Sequence, residues 1–132
     1  MNPAQLGAFG TRYAAAWSSQ SAAAVAAFFA EQGSLQINAG TPSVGRVAII
    51  AAAQSFMTAF PDMLVSMDEL SLHGDHTTFR WTLTGINTGP NGTGKLVRIS
   101  GYEQWIFSEN GLIHESKGHF NEAEYQRQLS GN

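Results

Sequence analysis

Residues 63–86 read MLVSMDELSLHGDHTTFRWTLTGI, and the spacing inside this stretch decides the fold. Met63, Val65 and Met67 alternate with Leu64, Ser66 and Asp68, the period of two that marks a strand with one buried face. Leu70 and Leu72 resume on the opposite parity, so one extra residue, a bulge, is predicted near Asp68 and Glu69. Gly74-Asp75 is a tight-turn dipeptide. Beyond it, Phe79, Trp81 and Leu83 alternate with Arg80, Thr82 and Thr84. Two later runs, Val97 to Phe107 and Leu112 to His119, carry the same signature and are joined by Gly-bearing turns. The four runs together predict a meander of long strands in one curved antiparallel sheet.

Upstream of residue 63 the period is helical. Leu6, Phe9, Tyr13 and Trp17 recur at steps of three and four behind Pro3, an early helical position. Ser21 is placed to cap a second helix, with Val25, Phe28 and Phe29 buried and Gly33 closing it. A short strand, Ser34 to Asn38, leads into a loop built from Gly40, Thr41, Pro42, Ser43 and Gly45. Ile49, Ala53, Phe56, Met57 and Phe60 then mark a third helix, ended by Pro61 and Asp62. At the other end of the chain, Asn121 is a plausible cap for a short helix with Tyr125 and Leu129 facing inward. Helices first and a meander afterwards specify an α+β domain: a cone-shaped fold whose curved, mainly antiparallel sheet is covered by three N-terminal helices, with a short C-terminal helix. If side chains leave the cone unfilled, the hollow is an apolar pocket with a few inward polar groups, the usual form of a small-molecule site.

The chain's 132 residues suit a single domain. Only 13% are charged, against 43% hydrophobic and 11% aromatic. Seven Lys and Arg against ten Asp and Glu leave a formal charge of −3 with no basic run, which excludes electrostatic capture of nucleic acid or an anionic membrane. The absence of cysteine excludes disulfides, thiolate metal sites and thiol nucleophiles. Residues 1–10 lack the basic start of a secretory signal, and the apolar run from Ala14 to Ala30 is broken by Ser18, Ser19, Gln20 and Ser21, so a cytoplasmic protein with no membrane span is expected. Residues 89–95, GPNGTGK, have the spacing of a phosphate-binding loop. Leu96 stands where a magnesium-binding Ser or Thr belongs, however, and a strand follows instead of a helix, so this is hairpin chemistry. His73, Asp75 and His76 share a tight turn, and His114, Glu115 and His119 lie on different strand faces; neither group forms a metal site. No cofactor is expected.

The order of elements resembles the nuclear transport factor 2-like superfamily. The resemblance is carried by Arg12-Tyr13, Phe28-Phe29-Ala30-Glu31, Phe60-Pro61-Asp62, Gly74-Asp75, Phe79 to Gly85, Gly94-Lys95 and Gly111-Leu112-Ile113, and the nearest likeness is to SnoaL-like polyketide cyclases and ketosteroid isomerases. It implies a conical pocket for a small apolar carbonyl compound, with enolisation, isomerisation or aldol-type ring closure as the chemistry. It also implies a homodimer joined through the outer sheet face, where Phe79, Trp81 and Leu83 would leave apolar surface to cover. The alternative is a non-catalytic ligand-binding or dimeric interaction domain, because the Asp that cyclases and epoxide hydrolases carry near the end of the last strand falls on Gly118. The isomerase's oxyanion-binding tyrosine resembles Tyr13, and its neutral acid falls on Glu103. Its basic Asp falls at Gln36 to Asn38, where only amides and Ile37 stand. Catalytic candidates are therefore Tyr13, Glu103 and His119, the last for its ability to move protons near neutrality. Candidate ligand contacts are Trp17, Asn38, Phe56, Phe60 and Trp105. Each has a structural competitor: Tyr13 and the other aromatic residues as core, Glu103 as a surface partner of Arg98, Arg80 as a solvated residue, and His119 as a surface histidine.

Overall fold

A computed structural model of the chain describes residues 1–131. The first helix, α1 (Pro3–Ser18), begins at a reciprocal cap: the Asn2 side chain accepts from the Gln5 N–H while the Gln5 side chain accepts from the Asn2 N–H. Two of the helix's free N-terminal donors are thereby satisfied or replaced at little cost. Leu6, Phe9, Tyr13 and Trp17 are all buried along its inner face, as their spacing predicts. The second helix, α2 (Ala22–Ala26), is capped by Ser21 but lasts only five residues. The expected continuation to Gly33 is instead strand β1 (Phe29–Ile37). Gly33 sits inside that strand, where an added Cβ would lie 2.7 Å from the Ile113 carbonyl oxygen, so its glycine serves close strand approach and not helix closure.

The loop expected at 40–45 holds a two-residue strand, β2 (Ser43–Val44), paired with Ser34 and Leu35 of β1. Then α3 (Arg46–Ala59) runs to the Pro61 turn. The meander follows as β3 (Leu64–His73), β4 (His76–Ile86), β5 (Leu96–Phe107) and β6 (Ile113–Phe120), and α4 (Glu122–Ser130) closes the chain behind its Asn121 cap. The register between β3 and β4 slips between Met67 and Glu69, which is the bulge read from the parity change. Residues 89–95 form the β4–β5 loop, held by the Asn87 side chain between the Ala59 carbonyl and the Thr93 N–H.

One six-stranded sheet results, in the order β2-β1-β6-β5-β4-β3. All pairings are antiparallel except β1 with β6. The sheet is curved and unclosed, and the helices pack into its hollow. Since β6 pairs with β5 only from Gly101 onward, the backbone of Arg98 has an open edge. The Gln128 amide of α4 fills it, accepting from the Arg98 N–H at 2.7 Å and donating to the Arg98 carbonyl at 2.9 Å. In this way a side chain substitutes for a missing strand and fixes α4 against β5. Among the described residues, no helix is long and apolar enough to cross a membrane.

The expectation that Phe79, Trp81 and Leu83 present apolar surface outward is incorrect. Phe79 and Leu83 are buried and Trp81 is half-buried, and all three line the hollow. The outer face of β4 carries Arg80, over the Tyr102 ring, and Thr82, bonded to Asp68 and Ser100. Trp81 packs against its β5 partner Gly101: a Cβ there would come within 2.6 Å of the indole and 2.2 Å of the His119 carbonyl oxygen. Gly101→Ala is therefore expected to destabilise the domain by more than about 2 kcal/mol in urea unfolding. Gly7→Ala, whose Cβ would meet nothing within 4 Å on α1, should stabilise it by about 0.5–1 kcal/mol. Equal effects of the two substitutions would contradict this packing.

Candidate functional site

The hollow contains one polar cluster, and strand register assembles it. Glu103 and Trp105 share the inner face of β5, where their partners across the ladder are Gly118 and Ser116 of β6. From the opposite side, α1 places Tyr13 one helical turn before Trp17. Three donors converge on a single carboxyl oxygen, Oε1 of Glu103: the Tyr13 hydroxyl at 2.8 Å, the Trp105 indole N–H at 3.0 Å and the Ser116 hydroxyl at 2.6 Å. Among the described residues Oε2 accepts no hydrogen bond, and Glu103 is the one carboxylate on the wall of the adjoining cavity. Hydrogen bonding therefore orients the group through one oxygen and leaves the other for chemistry.

Among the described residues no cation pairs with this carboxyl, which is only 7% exposed. Burial raises its pKa above the usual carboxylate range, and the bonds from Ser116, Trp105 and Tyr13 oppose that rise without cancelling it. Burial, and then the neighbouring Glu103 charge, push the Tyr13 phenol well above its ordinary value, so Tyr13 stays protonated and remains a donor. With Oε1 already accepting three bonds, a proton on Glu103 belongs on Oε2.

The cavity has a volume of about 60 Å³, and Trp17, Phe56, Val65, Phe79 and Trp81 supply much of its apolar wall. That space is below what a drug-sized ligand fills, so the ligand is small or the wall must yield. Trp17 and Phe56 stand on the wall, with ring centroids 6.2 Å apart. Tyr13 meets Glu103 but is completely buried behind it, away from the cavity surface. Trp105 and Phe60 are also fully buried; the first holds Glu103, and the second packs near Tyr125 and beneath Gly85. Asn38, at φ 51°, is occupied with structural bonds: its carbonyl accepts from the Phe120 N–H and its amide donates to Glu122. The Gln36 amide donates to the Gly40 carbonyl. His119 belongs to the residues that border the cavity but is exposed, with its ring tilted at 36° against that of Tyr102, centroids 5.2 Å apart, and it makes no hydrogen bond to Tyr13 or Glu103.

Ser116, which with His114 shares the strand parity of Gly118, has a site position, although the residues alone assign it no role. Trp81 was likewise missed, because parity separates the two faces of a strand without saying which one the helices cover. Since the folded state of Glu103 holds its proton to higher pH than the unfolded chain does, its contribution to stability is present below the unfolded pKa and is lost as pH rises through the folded one. Glu103→Gln should therefore gain thermal stability relative to wild type as pH is raised from about 4 to 8. A stability difference that is flat across that range would contradict the buried, proton-retaining carboxyl.

No curated protein matches the chain in sequence. Among solved structures, a protein of ketosteroid isomerase-like fold from Catenulispora acidiphila, in complex with trimethylamine, superimposes with a TM-score of 0.81 at 19% identity, over 92% of each chain. A protein described as a SnoaL-like polyketide cyclase from Jannaschia sp. CCS1 superimposes with a TM-score of 0.83 at 15% identity, over 100% of this chain and 97% of that one. An epoxide hydrolase/cyclase-like enzyme with a role in pyran ring formation in the polyether salinomycin gives 0.78 at 16% identity, over 93% and 95%. At such identities the superpositions establish the fold alone. Residues 8–129 match the SnoaL-like polyketide cyclase family as a whole, and the chain belongs to that family.

Proposed function

We propose that the protein binds a small, mostly apolar carbonyl compound in its cavity and moves a proton at the carbon beside the carbonyl, as an isomerase or cyclase does. The observation that carries this reading is the asymmetric carboxyl of Glu103, on the wall of an apolar cavity, with one oxygen held by three donors and the other accepting no hydrogen bond among the described residues. In the ionised form, Oε2 takes the α-proton, and the C–H electron pair passes into the carbonyl to give an enolate. Returning the proton at a different carbon completes an isomerisation. Attack of the enolate carbon on a second carbonyl of the same molecule forms a C–C bond instead, and the proton goes to the resulting alkoxide. A carboxylate whose pKa is raised by burial is a stronger base than an exposed one, and the apolar wall keeps competing water away.

Glu103 is then the catalytic residue of this reading, and Tyr13, Trp105 and Ser116 are positioning residues that act through it. This differs from the assignment the family resemblance implies, in which Tyr13 and a protonated Glu103 both donate to the substrate oxygen and His119 or the substrate itself moves the protons. Membership in a cyclase family and likeness to an epoxide hydrolase/cyclase-like enzyme support the reaction class.

Deuterium exchange at the α-carbons of small cyclic ketones, followed by NMR, tests the proposal. Exchange should rise with pH through the elevated Glu103 pKa and level off above it, and Glu103→Gln should slow it by about 100-fold or more. Tyr13→Phe removes a donor that stabilises the carboxylate, so the midpoint should move to higher pH while the plateau changes less. Equal exchange by wild type and Glu103→Gln would sink the catalytic role. Ketone retention in native mass spectrometry without exchange would favour a non-catalytic binding domain.

A further inference from the structure

The cavity's volume of about 60 Å³ gives room for about four to six atoms the size of a water molecule, each of which takes about 10–15 Å³. A larger ligand therefore needs part of the wall to give way, and the elements that form the wall are not held equally. The wall strands β1, β4, β5 and β6 each have a hydrogen-bonded neighbour on both sides, and α1 and α3 each bury several residues in the core. Val65 of the edge strand β3 is fastened by the Ser18 hydroxyl, which accepts from its N–H at 2.8 Å. The remaining wall residue, Tyr125, comes from α4, a helix with no buried residue. Its apolar contact with the core rests on Tyr125 and Leu129, both half-buried. Polar ties hold it at two places. Asn38 accepts from the Phe120 N–H at 3.0 Å and reaches Glu122 in the first turn at 3.3 Å, which anchors the end of β6 and leaves the Asn121 cap as the joint. Further along the helix, the Gln128 amide grips both backbone groups of Arg98.

We propose that α4 is a gate on the cavity: it swings at Asn121, Gln128 latches it shut on β5, and Tyr125 sets the largest ligand that the shut form admits. This goes beyond the carbonyl reading and rests only on the cavity as an apolar ligand site. When the latch opens, the Arg98 N–H and carbonyl pass to water, which replaces most of what the Gln128 amide supplied, so the shut form is favoured modestly and local opening is frequent. The Tyr125 ring leaves the wall with the helix. A ligand small enough for the shut cavity is indifferent to the latch. One that is too large binds the open form, and its apparent affinity is reduced by the fraction of molecules that are open.

The test uses the intact protein and two apolar probes without a carbonyl: cyclopentane, which matches the shut volume, and naphthalene, which exceeds it. Binding is followed by NMR titration and opening by amide hydrogen exchange. Gln128→Ala removes the latch while keeping a good helix former in α4. It should speed amide exchange in α4 by about 10-fold, tighten naphthalene binding by the same factor and leave cyclopentane binding within about twofold. The amides of Glu103 and Trp105 on β5 should exchange as in wild type. Tyr125→Ala should by itself admit naphthalene to the shut form, so that Gln128→Ala adds less than about twofold in that background. In wild type, naphthalene near its solubility limit should speed α4 exchange and cyclopentane should not, a comparison that carries the test without any variant. Equal gains for both probes in Gln128→Ala, no gain for naphthalene, an undiminished Gln128→Ala effect beside Tyr125→Ala, or α4 amides that exchange only together with those of β5 would each overturn the gate. Absence of Glu103-dependent α-proton exchange would sink the carbonyl reading and leave the gate untouched.

Discussion

The carboxyl of Glu103 has been taken out of water without a cation, and much of the inner structure follows from that. An ionised carboxylate in an apolar interior costs on the order of several kcal/mol, and bonds to a charged acceptor return about 1.5–3 kcal/mol each. The fold supplies three, from α1, β5 and β6, all on the same oxygen. The aromatic packing around them serves this geometry. Tyr13 is held edge-on by Trp105 at 5.0 Å and by Phe79 at 5.3 Å, and Trp105 is stacked on Phe79 at 4.8 Å. Rings of this size in contact have little freedom to rotate, so the donors they carry are placed before any ligand arrives. The same side chains form the core and the support of the site.

Much of the architecture is visible in local patterns, because one buried face leaves its mark on a strand or helix. The parity change at Asp68 and Glu69, the steps along α1 and the Asn121 cap are of this kind. The end of α2 is not. Its alanines favour helix, and what stops it is pairing of β1 with β6, roughly eighty residues away in sequence and therefore absent from any local window. The inward turn of Phe79, Trp81 and Leu83 was hidden for a related reason: alternation defines two faces, and only the packing of the helices decides which becomes the interior.

The site was legible to a similar degree. Tyr13 and Glu103 stand out by their likeness to isomerase positions, and the structure brings them together. Their roles separate only in three dimensions, because Tyr13 lies behind Glu103 and not beside it. Asn38 and Phe60 have the right chemistry for ligand contacts but spend it on the chain itself. Conversely, nothing in the local sequence distinguishes a tryptophan with a bonded N–H, such as Trp105, from one without, such as Trp81.

Gly118 acquires a meaning from the same geometry. It is the direct ladder partner of Glu103, and an added Cβ would stand 3.6 Å from the Glu103 Cγ and 3.3 Å from the Gln36 carbonyl oxygen. At 3.3 Å from a backbone oxygen a methyl group is already tighter than ordinary contact, and anything longer would crowd the Glu103 side chain. An aspartate would do this while also placing a second carboxyl in one apolar site, where two like charges cannot both ionise without a large rise in pKa. A carboxyl on β5 and a carboxyl on β6 at this rung are therefore alternatives in the same cavity. The glycine leaves the Glu103 side chain uncrowded at this rung, so the lack of an acid on β6 removes a competitor from the site and does not by itself remove its chemistry.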